Sequence, residues 1–340
     1  MAENNLSRRE FLKRTLAAGV AGGVVLSNLD KVAAAAEPKS EGFGTMIDLT
    51  RCDGCPDQKV PRCVQACRAE NKDRFPRPAE NIPDYWPQRK KEDWRGKENL
   101  TTRLTPYNWT FVQHVQVDHK GRTYKLHIPR RCMHCLNPPC ANLCPFSAQE
   151  VTKEGAVVIN PDLCFGGAKC REVCPWGIPA RQAGVGLYMK VMPELVGGGV
   201  MYKCDMCSPR LAKGQTPACV EACPRGAITF GPRSQILAQA KKRAEEINGY
   251  IYGEKENGGT RTFYISPVPF TVIDAALKKE KAKQPNPDAP GFPTMPVGVG
   301  NYLDTANGIA KSLLIAPVAG IFAAGYAAYR SLKGGEKDER

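Results

Sequence analysis

The fifteen cysteines of this 340-residue chain all lie between Cys52 and Cys223, in four tight groups. Their spacing constrains the fold more than any hydrophobic pattern does. The groups are Cys52-x2-Cys55-x7-Cys63-x3-Cys67, Cys132-x2-Cys135-x4-Cys140-x3-Cys144, Cys164-x5-Cys170-x3-Cys174 and Cys204-x2-Cys207-x11-Cys219-x3-Cys223. Each varies the run C-x2-C-x2-C-x3-C-P, and Pro145, Pro175 and Pro224 close three of the four. In such a run the first three thiolates sit on one loop around an iron–sulfur cubane. The fourth opens a helix, points away and completes a different cluster.

Two other uses of cysteine fit the pattern less well. Disulfide partners have no reason to repeat this grammar, and fifteen is an odd number. Zinc ribbons use paired C-x2-C and leave the C-x3-C-P halves unexplained. A zinc- or disulfide-stabilised binding protein is therefore the rival of a different class, and the colour of the purified protein separates the two. No C-x2-C-H run for haem attachment is present.

The third group keeps the spacing C-x2-X-x2-C-x3-C, but position X is Gly167, which has no side chain to bind iron. One outcome is a [3Fe–4S] cluster on Cys164, Cys170 and a remote thiolate. The other is a labile fourth iron held by a nearby Asp or by water.

The N-terminus reads Ser7-Arg8-Arg9-Glu10-Phe11-Leu12-Lys13, followed by an apolar stretch from Leu16 to Leu26 and an A-x-A site within residues 33–36. Residues 1–36 read as a twin-arginine export signal, too short and Gly/Ala-rich for a membrane span. Near the other end, Leu313 to Tyr329 is apolar and bounded by Lys311, Arg330 and Lys333. At about 1.5 Å per residue it covers roughly 25 Å, the low end for a bilayer core. Ala316, Gly320, Ala324 and Ala328 line one stripe for close helix packing. One transmembrane helix over 309–330 is expected, with a cytoplasmic C-terminus and the body on the periplasmic face of the inner membrane.

A formal net charge of +14 would suit nucleic acid, but export argues against that partner. The signal carries five Lys/Arg and three Asp/Glu, so its removal leaves +12. Clusters at about −2 each then bring the mature holoprotein to about +4.

Between the ends, residues 45–230 form the four-cluster region, 231–284 a C-terminal extension and 285–308 a Pro-rich linker, expected to be a stiff arm towards the membrane. Arg68–Pro106 reads as an irregular excursion, followed by a hairpin of Trp109–Val117 and Arg122–Ile128 turning at Asp118–Gly121. Ala156–Asn160 is strand-like, and residues 234–247 suit a helix capped by Ser234. The fold class is α+β: two pseudo-symmetric bacterial-ferredoxin-like modules with long loops, plus the C-terminal transmembrane helix.

Over roughly residues 45–270 the motif order resembles the four-cluster electron-transfer subunits of the molybdopterin-oxidoreductase and hydrogenase families. The resemblance implies that groups one and four exchange their last cysteines, as do groups two and three. Cluster 1 then takes Cys52, Cys55, Cys63 and Cys223, and cluster 4 takes Cys204, Cys207, Cys219 and Cys67. Cluster 2 takes Cys132, Cys135, Cys140 and Cys174, and cluster 3 takes Cys164, Cys170 and Cys144. Members with a [3Fe–4S] centre, such as respiratory nitrate reductase, lack the cysteine equivalent to Gly167, so three [4Fe–4S] clusters and one [3Fe–4S] cluster are implied.

The signal, the C-terminal span and the segment Tyr252-Gly253-Glu254-Lys255-Glu256-Asn257-Gly258-Gly259-Thr260 ahead of Pro267-Val268-Pro269 look most like the iron–sulfur subunits of Hyb-type membrane-bound [NiFe] uptake hydrogenases. That likeness implies a non-catalytic relay between hydrogenase small and large subunits and a quinone-reactive membrane subunit. Formate dehydrogenase β subunits, with a molybdopterin partner, are the alternative. The chain shows no phosphate loop, no Ser-His-Asp pattern and four His, of which His134 reads as a loop neighbour of a cluster rather than a ligand.

Overall fold

Strand Phe43–Asp48 alternates its side chains between two buried faces, which places it at the centre of the molecule. The computed structural model describes residues 41–84, 89, 91–195, 198–286 and 288–312. Its strands are β1 (Phe43–Asp48), β2 (Phe111–His119), β3 (Arg122–Arg130), β4 (Gln149–Val151), β5 (Val157–Ile159), β6 (Ala180–Gln182), β7 (Val200–Tyr202), β8 (Ile228–Pro232), β9 (Tyr250–Tyr252) and β10 (Thr262–Ser266). The central sheet has the order β8-β1-β10-β9, with β1 parallel to β10 and the other pairs antiparallel. Met46, Phe263 and Ile265 pack on Ile236, Ala240 and Ala244 of the helix Arg233–Glu246. On the opposite face, Ile47, Tyr252 and Tyr264 join the core that contains Cys63, Cys67, Cys132, Cys204 and Cys219.

The segment expected as an extension, 231–284, is thus structural. It supplies β9 and β10, and its helix Phe270–Ala282 buries Phe270, Ile273 and Leu277 in the main core. The helix Arg233–Glu246 lacks the expected Ser234 cap. It leaves β8 directly, Arg233 N–H is satisfied by Gly42 O, and Ser234 Oγ donates to Glu41 Oε2 at 2.8 Å.

Strands β2 and β3 form the expected hairpin, but Trp109 lies before it and the strand runs on to His119. Lys120 (φ 49°) and Gly121 (φ 73°) make the two-residue turn, both left-handed as a type I′ turn requires. After the helix Arg62–Asn71 and the 3₁₀ turn Lys72–Arg74, the described part of the excursion has no regular element. It is pinned by Glu92, whose carboxylate accepts from Arg171 (2.6 Å) and Arg181 (2.8 Å).

The Pro-rich segment does not lead away from the body. Met295 is fully buried and its N–H donates to Asp274 Oδ1, Tyr252 OH donates to Pro296 O, and Asn301 Nδ2 donates to Asn137 O. Prolines suit such a strap because its carbonyls are bonded by body side chains and it needs few N–H partners. The chain is helical again over 306–312. The expected signal (1–36) and the apolar run Leu313–Tyr329 lie outside the described residues. Among the described residues no helix is long and apolar enough to cross a membrane.

Candidate metal centres

Each C-x-x-C loop turns at its third residue, which is left-handed in all four groups: Gly54 (φ 74°), His134 (49°), Gly166 (69°) and Met206 (59°). At Gly166 only glycine fits, since a Cβ would lie 2.5 Å from Gly199 O. Asp53 and Asp205 shape loops one and four identically, each Oδ1 accepting at 2.9 Å from the amide of Cys55 or Cys207. By this correspondence Gly167 stands where the other loops place Cys55, Cys135 and Cys207.

The fold gathers thiols from different groups. Cys52, Cys55, Cys63 and Cys223 line one cavity (site 1), and Cys132, Cys135, Cys140 and Cys174 line another (site 2), each of about 20 Å³. Cys144, Cys164 and Cys170 line a third with Gly167 (site 3), and it is larger, about 130 Å³. A Cβ built on Gly167 meets nothing within 4 Å, so the extra room lies where a thiol is missing. Cys67, buried in the helix Arg62–Asn71, faces Cys204, Cys219 and Cys207 (site 4).

All fifteen thiols are free. Among the described residues, no group of three or more His, Cys, Asp or Glu is placed to hold a single metal ion. Thiols standing around a cavity suit a polynuclear cluster, whereas one tetrahedral ion needs its sulfurs about 2.3 Å from a single point.

The surroundings fit an anionic cluster. Burial pushes the thiols of Cys52 and Cys174 up to about 11 and those of Cys140 and Cys204 up to about 12, so the thiolates need help to ionise. Burial also pulls Lys203 and Arg131 down, but facing thiolates more than reverse this. They are Cys132, Cys140 and Cys204 for Lys203, and chiefly Cys219 and Cys204 for Arg131. Arg131 is 2% exposed and its Nε and Nη2 have no partner, a cost that a nearby cluster charge would offset.

N–H groups also aim at sulfur. Ala148 N–H reaches Cys144 and Ala227 N–H reaches Cys223, both at 3.3 Å, from the same offset after Cys-Pro. Cys67 has no following proline, so its helix continues, and the Asn71 side chain takes that place with Nδ2 3.8 Å from the sulfur. Asn257, left-handed at φ 55°, donates from Nδ2 to Cys135 Sγ at 3.1 Å.

The four sites form a row. The charge of Cys219 bears on Cys63, joining sites 1 and 4; that of Cys132 bears on Cys204, joining 4 and 2; that of Cys140 bears on Cys170, joining 2 and 3. His134 sits at the 4–2 junction. Its Nδ1 accepts from Val157 N–H at 3.0 Å, and Nε2 lies 3.7 Å from Cys204 Sγ. Burial, with Lys203, Arg131 and Arg261 nearby, holds the imidazole well below its ordinary range. It is therefore neutral, with its proton on Nε2.

This row of cross-shared thiol sites in paired ferredoxin-type loops defines a multi-cluster electron carrier. Models of 4Fe-4S dicluster domains match residues 51–148 and 123–233. A protein of Nitratidesulfovibrio vulgaris is 32% identical over 308 residues, covering 88% of this chain and 75% of its own length. The hydrogenase-2 operon protein HybA of Escherichia coli O157:H7 is 29% identical over 305 residues (79% and 83%), and a formate dehydrogenase iron–sulfur subunit of Haemophilus influenzae is 28% identical over 264 (73% and 74%). The chain belongs to the HybA-like family of iron–sulfur electron-transfer subunits.

Arg131, Lys203, Asn71 and Gln149 lie outside the cysteine motifs themselves. For the first two a signal exists: a cation directly precedes the first cysteine in groups one, two and four, as Arg51, Arg131 and Lys203. The Asn71 amide lies one helical turn from Cys67 and follows from that helix, whereas Gln149 is brought near Cys170 only by tertiary structure.

Proposed function

We propose that this chain is a non-catalytic relay between a [NiFe] uptake hydrogenase and a quinone-reactive membrane subunit. Clusters 1, 2 and 4 are [4Fe–4S] on the cysteine sets given above, and cluster 3 is [3Fe–4S] on Cys144, Cys164 and Cys170. When bound, the clusters supply one-electron steps. The chain holds the thiolates, excludes water from them and sets their charge through Arg131 and Lys203. The observation that carries this reading is the row of sites 1–4–2–3, in which each site adjoins the next.

The tail gives the row a direction. Leu303 packs on Leu143 and Val173, and Lys311 lies near Glu172 of the helix Lys169–Glu172 that carries Cys170. Site 3 therefore faces the membrane partner and site 1 the catalytic partner. Residues 1–36 direct twin-arginine export, and Leu313–Tyr329 anchors the protein on the periplasmic face. A hydrogenase partner is preferred to a formate dehydrogenase because the HybA alignment extends over more of this chain. Purification of the intact complex from solubilised membranes tests the reading. Nickel in the complex supports it, and molybdenum or tungsten transfers the subunit to the alternative.

A further inference from the structure

The residue five places after the cysteine of each Cys-Pro pair lines that cysteine's cavity. It is Ile228 at site 1, Pro179 at site 2 and Gln149 at site 3. Two are apolar, as expected for a wall against a cluster. The carboxamide occurs at the one site that lacks a thiol. Gln149 is 8% exposed, and its side-chain amide lies close enough to Cys170 to favour that group's thiolate. Its Oε1 is buried and has no partner. Among the residues lining this cavity, Gln149 carries the only side-chain oxygen, and no Asp, Glu or His is present. This weighs against the Asp ligand left open by the sequence. A buried carbonyl without a donor is costly unless something meets it, and the cavity that Gln149 lines also contains the open space at Gly167.

We infer that Gln149 Oε1 is an oxygen donor for a fourth metal ion, a labile divalent cation such as Fe²⁺, bound at the corner left by Gly167. The inference rests on the three-thiolate reading of site 3. A neutral amide oxygen is a weak ligand beside thiolate, so the ion exchanges where a fourth cysteine would hold it. Uptake is ligand exchange: Fe²⁺ loses water and gains the Gln149 oxygen and sulfide donors, and no electron moves. An amide N–H turned towards Cys170 would orient the carbonyl, as partners of metal ligands commonly do.

The test uses the full-length holoprotein, oxidised with ferricyanide to display its three-iron EPR signal, then reduced and titrated with Fe²⁺. Loss of that signal on reoxidation reports uptake. Gln149→Leu should need at least about tenfold more Fe²⁺ for half-conversion, and Gln149→Glu correspondingly less. Signals of the other three sites control for folding. Equal half-conversion in wild type and Gln149→Leu overturns the inference and leaves the three-iron reading intact. No three-iron signal in the oxidised wild type overturns the three-iron reading itself.

Discussion

Asn257→Gly isolates one hydrogen bond to one site. Asn257 is fully buried at φ 55°, a conformation glycine adopts freely, so the backbone keeps its bond to Val299 O at 2.7 Å. The Oδ1 atom has no partner, so only the 3.1 Å contact from Nδ2 to Cys135 Sγ is lost. A hydrogen bond to a charged group is worth about 1.5–3 kcal/mol, and the part that grows when the site gains an electron is taken as about 1 kcal/mol. At 59 mV per tenfold for one electron, that lowers the site 2 potential by about 40 mV. Asn257→Asp should lower it further by placing a carboxylate near the thiolates. An EPR-monitored redox titration reads both. A site 2 shift below about 10 mV, or a larger shift at another site, refutes the argument that this amide stabilises the reduced form.

Gly167→Cys should fold without strain, since its Cβ meets open space, and convert site 3 to a stable [4Fe–4S] cluster. Persistence of a three-iron signal in the variant would count against the loop correspondence. Cys67→Ser should damage site 4, whose thiols it faces, and spare site 1; loss of the Cys52/Cys55/Cys63 cluster instead would show the pairing to be wrong. Truncation after Ser312 should leave all clusters intact and release the protein from membranes. Truncation before Asn301 also removes buried Leu303, at a cost on the order of 2–5 kcal/mol, and retention of full thermal stability there would contradict the strap. Burial lowers the His114 and His127 imidazoles, whose Nδ1 atoms lie 2.6 Å apart. Their contribution to stability is present above about pH 6.5 and is lost as pH falls towards the lower folded values. A His114→Gln/His127→Gln pair should flatten the dependence of Tm between about pH 5 and 7, and an unchanged slope places its source elsewhere.

The cysteine grammar was legible because its information is local: each loop is read within a few residues, and Gly167 was visible as a gap in the spacing. Which loop shares its last thiol with which is a tertiary fact, and at the sequence level it came from resemblance alone. The central sheet was not legible because Thr45 pairs with Thr262 across most of the chain. A long separation likewise hid Asn257 on Cys135, and the strap's anchor depends on the fold returning residue 295 to Asp274. Ser234 looked like a cap because its residue type suits one. In the structure the first N–H is held by Gly42 O and the Ser234 hydroxyl turns to Glu41 instead.

Iron and acid-labile sulfide analysis of the purified holoprotein, with EPR at graded potentials, tests the central claim most directly. The expected result is a brown protein with about fifteen irons per chain, three [4Fe–4S] signals and one [3Fe–4S] signal, broadened by spin coupling between neighbouring sites. Colourless protein with stoichiometric zinc, or clusters that titrate as magnetically isolated centres, would contradict a row of four sites passing electrons along the chain.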